Sequence, residues 1–127
     1  MFKVNYQSRV PVYKQLYESV LRMVSLGVLK PNDKLPTVRA LATDLGINPN
    51  TVSKAYSMLE HDGYIYSTAG KGSFIAESFS EDTATRLTAL RTLKTAVKSS
   101  MLSGVTKEDA LSAVEDIYNG GDADDRV

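Results

Sequence analysis

Cysteine is absent from the 127-residue chain and histidine occurs once, as His61. Without cysteine there is no thiol nucleophile, zinc ribbon, disulfide staple or redox switch, and a reducing compartment is permitted. A lone histidine leaves little with which to build a Ser/His/Asp triad or a histidine metal cage. No window approaches the roughly 18 uninterrupted apolar residues of a bilayer span. The opening segment MFKVNYQSRVPVY has neither the apolar stretch nor the small-residue cleavage site of a signal peptide. These absences disfavour most enzyme classes. They lead to the expectation of a cytoplasmic protein with no catalytic residue, no metal, no cofactor and no membrane partner. The length suits one ordinary domain, or a small domain with an appendage, and is enough to bury a core without staples.

Fifteen Lys and Arg balance fifteen Asp and Glu, so the formal net charge is zero, but the average conceals an asymmetry. Residues 1–76 carry nine basic and five acidic side chains, net +4, and residues 77–127 carry six and ten, net −4. A front part that meets an anion and a back part that does not is the reading this division suggests.

Between Pro11 and Gly27 the apolar residues Tyr13, Leu16, Tyr17, Val20, Leu21 and Val24 follow the spacing of one helical face. The next stretch, VLKPNDKLP, reads as a turn. Thr37 is a candidate N-cap for a short helix with Val38, Leu41, Ala42 and Leu45 on one side, ending at Gly46. A third helix restarts at once, with Asn48 as N-cap, Pro49 at the first helical position and Gly63 as the stop; Val52, Ala55, Tyr56 and Leu59 form its expected buried face. Two short helices around a glycine-bearing turn make a helix-turn-helix. Tyr64–Tyr66 and Ser73–Ala76 then read as strands of a hairpin with Ser67–Gly72 at its tip. Beyond Ser80 the pattern is helical only: Leu87, Leu90, Leu93, Val97 and Met101 mark one helix, and Ala110, Ala113, Val114, Ile117 and Tyr118 another, capped by Thr106. Two such helices cannot bury their apolar stripes alone. The closing Gly-Gly-Asp-Ala-Asp-Asp-Arg-Val is polar and expected to fray. The expected fold is therefore mainly α with a small β-hairpin: a winged helix-turn-helix domain over residues 1–77, followed by a two-helix dimerisation tail over residues 78–127.

If the middle helix pair reads DNA, the outward residues of its second helix reach the base edges. They are Asn48, Asn50, Thr51, Ser53, Lys54 and Ser57. Asn can form two bonds with adenine, and Thr offers a hydroxyl and a methyl to thymine. Arg39 lies in the first turn of the preceding helix, where a cation is electrostatically misplaced unless an anion answers it; a DNA phosphate or guanine edge would, and so would Asp33 or Asp44. Lys71, between Gly70 and Gly72, is placed to follow the backbone into a minor groove. The segment Ala69–Ser73 is no nucleotide-phosphate loop, since that motif needs GxxxxGK[ST] between a strand and a helix. His61 beside Glu60 and Asp62 reads as a solvated helix end, because adjacent helical residues point apart.

The runs Pro11–Leu16, Leu35–Ala42, Asn48–Tyr56, Leu59-Glu60, Gly63–Ile65 and Gly70–Phe74 resemble the DNA-binding domain of GntR-type transcriptional regulators. The Asn-Pro-Asn-Thr-Val run, with a tail of about 50 helical residues, is similar to the YtrA subfamily in particular. The resemblance implies a homodimer on a pseudo-palindromic stretch of double-stranded DNA. It implies DNA contacts at Arg39, Asn48, Asn50, Thr51, Ser53, Gly70 and Lys71; Arg9, Thr37 and Lys54 complete the expected DNA-contact set. A dimer contact is expected through Leu87, Leu90, Leu93, Val97, Met101, Val114, Ile117 and Tyr118. Kinship further implies a repressor near transporter genes. Other branches carry arginine where this chain has Pro49, so their base preference does not transfer. Larger relatives add a ligand-binding domain for which this tail is too short; an effector, if there is one, is an unidentified small molecule between tail and winged helix. A winged-helix module that binds a protein partner is the competing reading. It would place apolar residues on the outer side of the recognition helix, where this sequence has Asn, Thr, Ser and Lys.

Overall fold

The computed structural model describes residues 2–120; the acidic tail expected to fray lies, from Gly121 onward, outside the described residues. The elements run α1 (Val12–Ser25), α2 (Val38–Leu45), α3 (Pro49–His61), β1 (Ile65–Thr68), β2 (Gly72–Ile75), α4 (Glu81–Leu102) and α5 (Lys107–Tyr118). This is a mainly helical winged helix-turn-helix followed by two further helices.

Local chemistry explains the helix boundaries. The Thr37 hydroxyl accepts a hydrogen bond from the Ala40 N–H, and the Asn48 side chain accepts one from the Asn50 N–H, so α2 and α3 each begin on a side-chain cap. Gly46 ends α2 at φ 67°, a left-handed conformation that costs glycine least, and turns the chain tightly into α3. Each of the first three helices buries one stripe: Leu16, Val20, Leu21 and Val24 from α1, Leu41 and Ala42 from α2, and Val52, Ala55, Tyr56 and Leu59 from α3. These four α3 positions are the ones the spacing predicts.

The hairpin is tighter than expected. β1 pairs antiparallel with β2 from Ile65–Ile75 out to Thr68–Gly72, so the strands extend into the expected tip and only Ala69, Gly70 and Lys71 turn the chain. Tyr64 and Ala76 lie outside the strands, although the Ala76 N–H still donates to the Tyr64 carbonyl at 2.9 Å. The stretch before α2 also does more than turn. Asn32 N–H donates to the Ile75 carbonyl (2.7 Å), Ile75 N–H to Asp33 (2.9 Å) and Leu35 N–H to Ser73 (2.8 Å). Residues 32–35 thus lie along β2 like a third strand, with an isolated bridge at Lys34–Phe74.

Two compact units meet between Thr88 and Ala89. The first reaches past the division expected after residue 77, because Phe79 and Ala84 are buried in its core and Leu87 packs partly against it. Phe79 stacks on Tyr64 with ring centroids 4.6 Å apart. In the second unit, α5 starts on a reciprocal capping box between Thr106 and Asp109. Leu90, Leu93, Val97, Met101, Leu111, Val114, Ile117 and Tyr118 of this unit are all exposed.

Because Phe79 is fully buried and stacked, Phe79→Ala should cost about 3–5 kcal/mol of unfolding free energy. Urea denaturation checks this, and a loss below about 1 kcal/mol would show that the core closes without it.

Candidate nucleic-acid interface

Burial of Val52, Ala55, Tyr56 and Leu59 dictates what α3 offers to the outside. Asn50, Ser53, Lys54, Ser57 and His61 are all exposed and follow one another at helical spacing. The stripe is short and polar. Thr51, expected among the readers, is half-buried, and the Asn48 oxygen is committed to its cap at 2.8 Å. Lys54 is exposed but held: its Nζ sits 3.9 Å from the centroid of the Tyr13 ring, a cation–π contact that ties it to α1.

Arg39 is exposed in the opening turn of α2, and no carboxylate lies within ion-pair distance of it among the described residues. Of its two candidate acid partners, Asp33 instead accepts the Lys30 N–H at 2.9 Å. Thr37 is exposed beside it, its oxygen engaged by Ala40. Gly70 and Lys71 are exposed at the wing tip. Arg9 is exposed in the segment before α1; among the described residues no hydrogen bond or ion pair links it to α3 or the wing.

Two adjoining grooves join these parts. One of about 500 Å³ is lined by Ser53, Ser57, Glu60 and His61 of α3 and by Ser67 and Ser73 of the wing. The other, of about 480 Å³, runs from Lys34 and Thr37 along Thr68–Ser73 and includes Lys71. Ser67 and Ser73 border both. The wing is latched to α3, since the Ser67 hydroxyl donates to the Glu60 carboxylate at 2.6 Å. It is also braced from the α1–α2 connection, where the Tyr66 hydroxyl donates to Asn32 Oδ1 at 3.0 Å. The acids of this half are largely occupied: Glu60 by Ser67, Asp33 by Lys30, and Asp62 by the Tyr17 hydroxyl at 2.5 Å. The outward surface carries the cations Lys34, Arg39 and Lys71 and a run of hydroxyls, the chemistry of a phosphate and base-edge surface, with the charged Glu60 carboxylate set among them.

Sequence reasoning assigned no role here to Lys34, Ser67 or Ser73. Their signal is the backbone pairing of residues 32–35 with β2, which no local pattern announces. His61 agrees with its reading as a solvated end, its side chain 90% exposed and 3.4 Å from Asp62. Among the described residues no group of three His, Asp or Glu side chains is placed to hold a metal ion. No helix among them is long and apolar enough to cross a membrane.

Tyr56 sets the angle of the stripe. Its ring is buried in the core and its hydroxyl donates to the Pro36 carbonyl at 2.7 Å, fastening the middle of α3 to the entry of α2. Burial pushes its phenol well above the ordinary tyrosine range.

The family profile of bacterial regulatory proteins of the gntR type matches residues 12–75, half of the chain. The HTH-type transcriptional repressor YtrA of Bacillus subtilis (strain 168) is 44% identical over 78 residues, covering 61% of this chain and 60% of that repressor. The chain therefore matches less than two thirds of that relative's length. A GntR family transcriptional regulator from Listeria monocytogenes has a TM-score of 0.67 at 28% identity, covering 87% of this chain and 97% of its own. The DNA-binding domain of AraR in complex with operator ORX1 has a TM-score of 0.54 at 30% identity, covering 59% of this chain and 96% of that domain.

The Tyr56 tether has a signed pH dependence. Below pH 10 the phenol is protonated in both folded and unfolded chains and its contribution is complete. Above that the unfolded chain sheds the proton while the folded one keeps it, so stability falls as pH rises. Tyr56→Phe should cost about 1–2 kcal/mol at neutral pH and flatten the alkaline loss. Denaturation midpoints at pH 7 and pH 11 measure both, and an undiminished alkaline loss in the variant would place its cause elsewhere.

Proposed function

The chain belongs to the GntR family of bacterial regulatory proteins, and from that premise we propose that this DNA-binding transcriptional regulator is a repressor. In this reading it works as a homodimer on a pseudo-palindromic operator. The observation that carries the proposal is the juxtaposition of an outward Asn50–Ser53–Ser57 stripe with an unanswered Arg39 and a lysine-tipped wing. Side chains that hydrogen-bond to bases lie beside cations that neutralise phosphates, and apolar partner-binding residues are missing from the stripe.

In the proposed mechanism the amino-terminal half of α3 enters the major groove and Asn50 reads a base edge. Thr51, Ser53 and the Asn48 cap face the adjoining backbone. Arg39 and Thr37 approach a phosphate at the start of α2, with Arg9 and Lys54 as flanking cations. Gly70 and Lys71 carry the wing into the neighbouring minor groove. Two copies place their recognition helices about 34 Å apart, one helical turn of DNA. Occupation of that face blocks polymerase.

The homodimer reading is supported by the second unit, in which Leu90, Leu93, Val97, Met101, Val114, Ile117 and Tyr118 remain exposed. Apolar side chains in that number ask for a partner surface. Leu87 belongs to that proposed contact only in part, since it already packs on the winged-helix core. The functional division proposed is a reading head over residues 1–77 and a dimerisation tail over residues 78–127. The proposal extends to control of transporter genes and to a cytoplasmic site of action, both suggested by the resemblance to YtrA-type regulators. A small-molecule effector would act by shifting the population of dimers whose heads match the operator spacing.

Binding to genomic fragments selected by the protein itself, titrated with salt, tests the reading. Arg39→Ala should make log Kd against log salt shallower by about 0.9 per bound subunit. Asn50→Ala should cost roughly 1–3 kcal/mol on the selected fragment and little on random duplex. Equal losses on both duplexes would show that Asn50 reads nothing. Failure of the wild-type chain to prefer any fragment would overturn the regulator itself.

A further inference from the structure

One cation outside the expected set has a shaped seat and, among the described residues, no ion-pair partner. Residues 32–35 run extended along β2, so their side chains alternate: Leu35 points into the core, 1% exposed, and Lys34 points out. The Lys34 stem crosses the wing over Gly72. A Cβ at Gly72 would stand 3.0 Å from Lys34 Cε and 3.8 Å from its Nζ, and the backbone there holds φ +117°, which side chains other than glycine's rarely permit. Glycine therefore opens the space that this stem occupies. No carboxylate lies within ion-pair distance of Lys34 among the described residues. Its ammonium shares the 480 Å³ groove with Thr37, Ser73 and Lys71.

We propose that Lys34 is a further DNA-contact residue, gripping a backbone phosphate at the base of the wing while Lys71 engages DNA at the tip. This rests on the DNA-binding reading above. The contact positions the protein and does not read sequence, since an ammonium on phosphate oxygens carries no base information. Seating the stem on Gly72 lowers the entropy lost when a long flexible side chain is ordered by a ligand. The Thr37 hydroxyl lines the same groove and keeps its hydrogen to donate, while the Ser73 hydroxyl is turned to Ser67 at 3.3 Å.

The test is a salt titration of full-length protein on a random-sequence duplex and on a genomic fragment that the protein selects. Lys34→Gln, which keeps the first three stem carbons and removes the charge, should make the salt slope shallower by about 0.9 per bound subunit on both duplexes. The ratio of the two affinities should stay at its wild-type value. Lys34→Arg should restore the slope. Gly72→Ala, with every charge retained, should also make the slope shallower by displacing the stem. Lys98→Gln on α4 is the charge-matched reference, and an equal change there would show that only net charge matters and overturn the proposal. An unaltered slope in Lys34→Gln, alongside a shallower one in Arg39→Ala, would overturn it while leaving the DNA reading intact. Absence of any duplex binding by the wild-type chain would remove both.

Discussion

Burial of a single stripe on α3 is the constraint on which the rest depends. Val52, Ala55, Tyr56 and Leu59 are held in the core between α1 and α2, and a 13-residue helix with that face spent has one orientation left. Everything that can meet a ligand on it, from Asn50 to His61, is then decided by the 3.6-residue period. The Tyr56 hydroxyl on the Pro36 carbonyl removes the remaining freedom to roll. A buried phenol without that partner would cost more than the bond contributes, so the tether specifies orientation through the penalty for breaking it.

The wing is held with comparable economy. A two-stranded hairpin alone is marginal in water. This one gains a third edge from residues 32–35, a hydroxyl–carboxylate latch to α3 at Glu60 and a tyrosine brace at Asn32. The latch also fixes the Glu60 carboxylate, still charged, at the groove shared by α3 and the wing. Helix α3, the wing and the α1–α2 connection are therefore joined by direct hydrogen bonds into one concave surface.

The second unit follows a different logic. Its helices carry strong local signals, including the Thr106–Asp109 box, yet from Ala89 to Tyr118 no described side chain is fully buried. Helices of this kind draw their stability from packing rather than propensity. Their exposed apolar side chains contrast with the polar stripe on α3.

The three front helices, their caps at Thr37 and Asn48, the glycine turn at Gly46 and all four buried positions of α3 were legible from residue order, because period and capping are properties of neighbours along the chain. The hairpin was legible in kind, though its strands run further toward the tip than β-propensity indicated. Pairing across strands, not local preference, fixes where they end. Other features were beyond any local reading. They are the strand-like pairing of residues 32–35, the seating of Lys34 over Gly72, the capture of Lys54 by Tyr13 and the reach of the first unit to Phe79 and Ala84. Each joins residues far apart in order and close in space, and such contacts are set by the packing of whole elements, which the pattern within one element does not contain.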